Sequence, residues 1–146
     1  MNKIDAVTWF LTGIILLISS IKDIKTKRIS MKILITGSIL LFICLPFRRE
    51  ISVIEGLLGT LVGLMMIGIG KITRWQIGMG DGMILIFTGI GLGFRENTFL
   101  LLCALFLIFI FSIILIPLKK ITSKTSLPFI PFLFLGYLGV IVSKFQ

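Results

Sequence analysis

Apolar residues run along this chain in blocks of about 16–21, separated by short polar breaks. A helix that crosses a bilayer needs about 20 mostly apolar residues, within a range of about 17–25. The blocks therefore predict six helices, over residues 6–21, 32–47, 51–69, 77–94, 98–118 and 127–142. The fourth has the weakest pattern, because Gly82, Gly89, Gly91 and Gly93 interrupt it. Tight connections leave little backbone outside helices, as hydrocarbon demands. The expected architecture is an all-α integral membrane protein, with six transmembrane helices in one membrane-embedded domain over residues 1–146.

Composition agrees with this pattern. Of the 146 residues, 57% are hydrophobic and 14% charged. Soluble domains average about 45–50% apolar and about 25% charged residues, so no soluble domain fits between the blocks. Lys3 followed by an apolar run is reminiscent of a secretory signal. No small-x-small cleavage site follows, however, and Asp5 weakens the basic start. The first block is expected to be a retained helix.

The net charge is +9. In a soluble protein such an excess would suggest a nucleic acid partner. Here the basic residues flank the spans, so the expected partner is the lipid bilayer, with no nucleic acid. Lys22, Lys25, Lys27, Arg28 and Lys32 follow the first block. Lys71 and Arg74 follow the third, and Lys119, Lys120 and Lys124 the fifth. Only Lys3, Arg48, Arg49, Arg95 and Lys144 fall on the other side. This asymmetry puts loops one, three and five in the cytoplasm and both termini outside the cell membrane.

The inventory of reactive groups is narrow. There is no histidine, and Cys44 and Cys103 lie singly inside apolar runs. No zinc ligand set can be assembled, and no cofactor or metal is expected. The cysteines read as small hydrophobes. Gly59 with Gly63, and Gly89 with Gly93, form small-xxx-small pairs that let helices approach closely in lipid. Packing of helices three and four would fix the direction of Asp81. The same faces are compatible with a homodimer. Pro128 and Pro131 stand at the start of the last helix, where missing N–H groups cost least.

Two aspartates remain as candidate chemistry. Asp23 closes the first apolar block, and Asp81 stands in Gly78-Met79-Gly80-Asp81 at the start of the fourth. Ionisable groups at membrane depth are costly and mark function by default. The charge-derived topology puts both on the cytoplasmic side. Glycine on either side of Asp81 removes bulk and frees the backbone, so a second carboxyl or a substrate strand can approach. Two carboxyls about 3 Å apart cannot both ionise. The charged one can take a proton from water while the neutral one donates to the carbonyl under attack. Such a pair hydrolyses a peptide without Ser, His, Cys or metal.

Gly78-Met79-Gly80-Asp81 resembles the GxGD motif of intramembrane aspartyl proteases. Asp23 followed by Ile29-Ser30 resembles the first-aspartate motif of type IV prepilin peptidases, commonly D-x5-I-P. Leu127-Pro128-Phe129-Ile130-Pro131-Phe132 with Gly136 resembles that family's last-helix signature. The resemblance implies a GxGD aspartyl protease-like bundle. It also implies an endopeptidase that removes a basic leader from prepilin- or pseudopilin-like precursors, just ahead of their hydrophobic helix. It makes Asp23 and Asp81 the catalytic pair, with Gly78 and Gly80 shaping the loop of the second. The cysteine pairs of the larger methyltransferase forms are missing, so peptidase activity alone is expected. Two residues depart from the pattern: Met83 where lysine is frequent, and Ser30 where proline is frequent. Two other readings use the same aspartates, as a proton relay in a small transporter component or as a non-catalytic pilus-assembly partner.

Overall fold

The computed structural model describes residues 3–26, 29–73, 78–115 and 127–144. Among them the regular elements are all helical. They are α1 (Lys3–Thr26), α2 (Met31–Cys44) with a short 3-10 turn (Leu45–Phe47), α3 (Val53–Ile72), α4 (Met79–Leu115) and α5 (Ile130–Lys144). By length and composition α1, α3 and α4 can each cross a membrane, whereas α2 with its 3-10 turn and α5 are shorter apolar helices.

The polarity of the bundle is that of a membrane protein. Large apolar side chains such as Phe10, Ile54 and Phe106 face outward, and several polar ones face in. On α1 the buried polar residues are Asp5, Thr8, Thr12, Ser19, Ser20 and Asp23. Their spacing places them along one helical face. Val7, Phe10, Ile14, Leu17 and Ile21 are exposed. Thr8 Oγ1 donates to the Asp5 carbonyl at 2.9 Å and Thr12 Oγ1 to the Thr8 carbonyl at 2.7 Å. These hydroxyls are thus satisfied within their own helix, as a non-aqueous interior requires.

α4 is broken at Gly93, where φ is 81° and ψ 175°. An unbroken helix would separate residues 85 and 97 by about 18 Å. Instead Asn97 Nδ2 donates to the Leu85 carbonyl at 3.0 Å. The chain therefore folds back on itself at Gly93, which only glycine tolerates at low cost. Asn97 Nδ2 also reaches the Gly59 carbonyl at 3.0 Å, and Thr88 Oγ1 lies 2.7 Å from Asn97 Oδ1. One buried side chain thus ties α3 to both arms of α4.

The glycine faces of α3 and α4 meet directly. A Cβ at Gly59 or Gly89 would fall on the backbone of the other, and one at Gly63 would fall on the backbone of Gly82 and Ile86. Gly93, expected to belong to this packing face, is the hinge instead. The apolar core, with Leu16, Leu41, Leu85, Phe87, Leu100 and Leu133, lies where the helices converge.

The element boundaries depart from the sequence pattern at three places. α1 continues to Thr26, so Asp23 lies inside the helix rather than at its close. The reversal between the fourth and fifth blocks occurs at Gly93, and residues 95–97, expected as a loop, are helical. A single positive φ replaces a polar loop there. α5 begins at Ile130, with Pro131 in its first turn. The end of the fifth block and its basic loop, with Lys119, Lys120 and Lys124, lie outside the described residues. Cys44 and Cys103 are free and half-buried.

Successive helical rods alternate in direction, so the bundle has two distinct ends. Asp5, Arg48, Ser52, Gly93 and Lys144 gather at one. Asp23, Ile29, Asp81 and Ile130 gather at the other.

Candidate active site

Asp23 sits one turn before the end of α1 and is 7% exposed. It is buried by the same face that carries Leu16, Ser19 and Ser20. Its Oδ2 accepts the backbone N–H of Ile130 at 3.2 Å. That N–H opens α5 and has no partner within the helix, so the carboxylate caps α5. Residues 107 positions apart are thereby joined at the candidate site.

Asp81 is the third residue of α4 and is half-buried. Its N–H donates to the Gly78 carbonyl at 3.0 Å, closing the turn that starts the helix. Asp23 and Asp81, 58 positions apart, lie close enough for their charges to act on each other.

Gly78 and Gly80 turn out to be glycines for want of space. Gly93 is the positive-φ glycine among the described residues, so neither uses a left-handed backbone. A Cβ at Gly78 would stand 3.0 Å from Asp81 Oδ2, and one at Gly80 would overlap Ile29 Cδ1. Of the two roles expected of Gly80, removal of bulk and backbone freedom, the space against Ile29 bears on the first. Gly82 behaves likewise, since a Cβ there would meet Ile67 of α3.

The two departures from the family pattern have simple structural settings. Ser30 precedes α2 with φ −80° and ψ 95°. Proline also adopts that φ, so serine follows the same backbone path. Its side chain makes no capping bond. Met83 is half-buried against the apolar core, where it contributes packing rather than charge.

Sequence reasoning missed the most deeply buried carboxylate. Asp5 is fully buried at the opposite end, where its Oδ1 accepts from Arg48 Nε at 3.3 Å and its Oδ2 from the Arg49 N–H at 3.4 Å. Arg48 Nη1 also donates to the Ile90 carbonyl at 3.2 Å. Burial pushes the Arg48 guanidinium below its ordinary pKa, and its bond to Asp5 opposes that shift. This is a compensated pair, chemically unlike two carboxyls facing each other. Its only hint in the sequence was an aspartate so near the start of an apolar helix.

The bundle is that of a helical membrane-type protein, with two aspartates within electrostatic reach of each other at one end. A model of the type IV leader peptidase family matches residues 10–116, which include both aspartates and the Gly78–Asp81 turn. The chain belongs to the type IV leader peptidase family. Comparison with curated proteins and with solved structures gives no match.

Proposed function

We propose that this protein is an intramembrane aspartyl endopeptidase that removes the basic leader from prepilin- or pseudopilin-like precursors. The observation that carries the reading is the convergence of Asp23 and Asp81 at one end of the bundle, in a chain of the leader peptidase family. Asp23 and Asp81 are its catalytic pair, with Gly78 and Gly80 making room around the second. One carboxylate takes a proton from a water, and that water attacks the scissile carbonyl. The other, protonated, donates to the carbonyl oxygen; as the C–N bond breaks, the proton taken from water passes to the leaving amine and the second carboxyl recovers its own.

The finer architecture belongs to the same proposal. Counting the arms of α4 on either side of Gly93 separately gives six helical rods, each taken as one span of a single domain over residues 1–146. The bias of Lys and Arg puts the site on the cytoplasmic face of the cell membrane, with both termini outside. A precursor with a long apolar helix would arrive laterally from lipid and leave its basic leader in the cytosol. Asp23 and Asp81 would then help hold that leader, because the four other acidic residues belong to the opposite end.

The direct test is cleavage in membranes of a precursor with a basic leader ending in glycine. Wild type should cut it, and Asp23→Asn and Asp81→Asn, folded as the wild type, should not. Cleavage surviving either substitution would exclude the pair. No cleavage of any pilin-like precursor by well-folded wild type would exclude the peptidase.

A further inference from the structure

Ile29 is the one apolar residue between Ile24 and Met31, within a stretch of lysine, arginine, threonine and serine. An isoleucine there would ordinarily be left at the membrane surface. Instead it is half-buried and packs against the apolar core. Its Cδ1 occupies the space where a side chain on Gly80 would begin, and its Cγ1 and Cβ lie 3.2 and 3.7 Å from that point. Gly80 immediately precedes Asp81, and Ile29 follows Asp23 by six residues. Ile29 is therefore wedged against the turn that carries the second aspartate.

From this contact we infer that Ile29 is a positioning residue, which sets the separation of Asp23 and Asp81 by bracing the Gly78–Asp81 turn. Within the turn the Asp81 N–H donates to the Gly78 carbonyl, and its glycines carry no side chains to pack. On the other side, Gly82 and Gly63 lock α4 against α3. Ile29 supplies the opposing surface. Removing its δ- and γ-carbons would let the turn relax away from α1, and a shift of about 1 Å at a reacting group can cost about a hundredfold in rate. Filling the space at Gly80 would push the turn off Ile29.

The inference rests on the peptidase reading for its kinetic consequence, but its geometric content is testable without any substrate. In a background with Cys44→Ser and Cys103→Ala, the pair Asp23→Cys with Asp81→Cys reports the separation through its rate of disulfide formation in membranes. Disulfides form only across a narrow range of separations, so adding Ile29→Ala should slow the reaction by about tenfold. Adding Ile29→Leu instead should restore it. In the native background, Ile29→Ala should lower kcat for precursor cleavage by about ten- to a hundredfold with KM unchanged. Gly80→Ala should lower kcat further, and Ile29→Ala should partly rescue Gly80→Ala, because the space for the new methyl is then free. Variants are compared at equal folded fraction, judged by monodispersity and Tm.

Equal cross-linking with Ile29 and with Ile29→Ala would overturn the inference, even if wild type cleaves its precursor. A Gly80→Ala defect that is the same with or without Ile29 would also overturn it. If wild type cleaves nothing, the peptidase reading fails, and the cross-linking rates still decide whether Ile29 positions the two carboxyls.

Discussion

The two ends of this bundle bury carboxylates in opposite ways. At one end Asp5 is fully enclosed and held by Arg48 Nε and the Arg49 N–H. Around it Glu50 pairs with Lys144, whose Nζ also stands 4.3 Å over the Trp9 ring. Ser52 and Glu55 close a reciprocal cap at the start of α3. At that end Asp5 and Glu50 each meet a cation. At the other end Asp23 accepts a backbone N–H and lies within electrostatic reach of a second carboxyl. On the proposed reading, a carboxylate paired with a cation has no proton to exchange, whereas two neighbouring carboxyls can share one. Depth of burial does not separate the two ends, since the structural aspartate is the deeper one. The identity of the partner does.

The largest effect that should break the comparison is on cleavage. Asp81→Asn should lower kcat by about 10²–10⁴-fold, the usual contribution of a positioned acid or base, while leaving Tm close to wild type. A precursor-cleavage assay beside a thermal unfolding curve reads both. At the other end the signs reverse. Arg48→Met leaves Asp5 buried without its cation and should cost about 3–5 kcal/mol of stability. Cleavage per folded molecule should be retained. Asp5→Leu combined with Arg48→Met should recover most of that loss, because a buried pair can be replaced by apolar groups at little net cost. Denaturant unfolding in mild detergent measures it.

Between the ends lies the α3–α4 seam. Gly89→Ala puts a methyl on the backbone of Gly59, which cannot move aside as a side chain can. Overpacking of this kind costs about 1–3 kcal/mol. Because the seam carries Asp81, kcat should fall with Tm, linking the two ends. Asn97→Leu should cost about 1–3 kcal/mol by leaving the Gly59 and Leu85 carbonyls without its amide. The smallest effect is Ser52→Ala, which removes the α3 cap and should cost about 1 kcal/mol. It should leave cleavage untouched, and thermal unfolding is its readout.

How much of this was legible in the sequence differs by feature. The helical blocks were legible because lipid imposes a length and an apolar composition on every span. Asp23 and Asp81 stood out because so few acidic residues interrupt those blocks, and because each sits in a recognisable local motif. Their placement at one end followed from counting spans. The Arg48–Asp5 pair was not legible, because it joins residues 43 positions apart that carry no motif. The hinge at Gly93 was hidden among neighbouring glycines, and only the backbone angles single it out. Gly80 was noticed for its lack of bulk, but not for what fills the space. The neighbour that fills it is Ile29, which is distant along the chain. The Asp23 cap on α5 likewise needed the fold, since nothing near Asp23 in the sequence points to Ile130.

The most direct test sets Asp23→Asn against Asp5→Asn in the same vesicles, with precursor cleavage and thermal unfolding read on each. The account predicts that Asp23→Asn abolishes cleavage with Tm near wild type, because asparagine can still accept the Ile130 N–H. It predicts that Asp5→Asn lowers Tm and leaves cleavage per folded molecule intact. Cleavage retained in Asp23→Asn, or lost in folded Asp5→Asn, would contradict it.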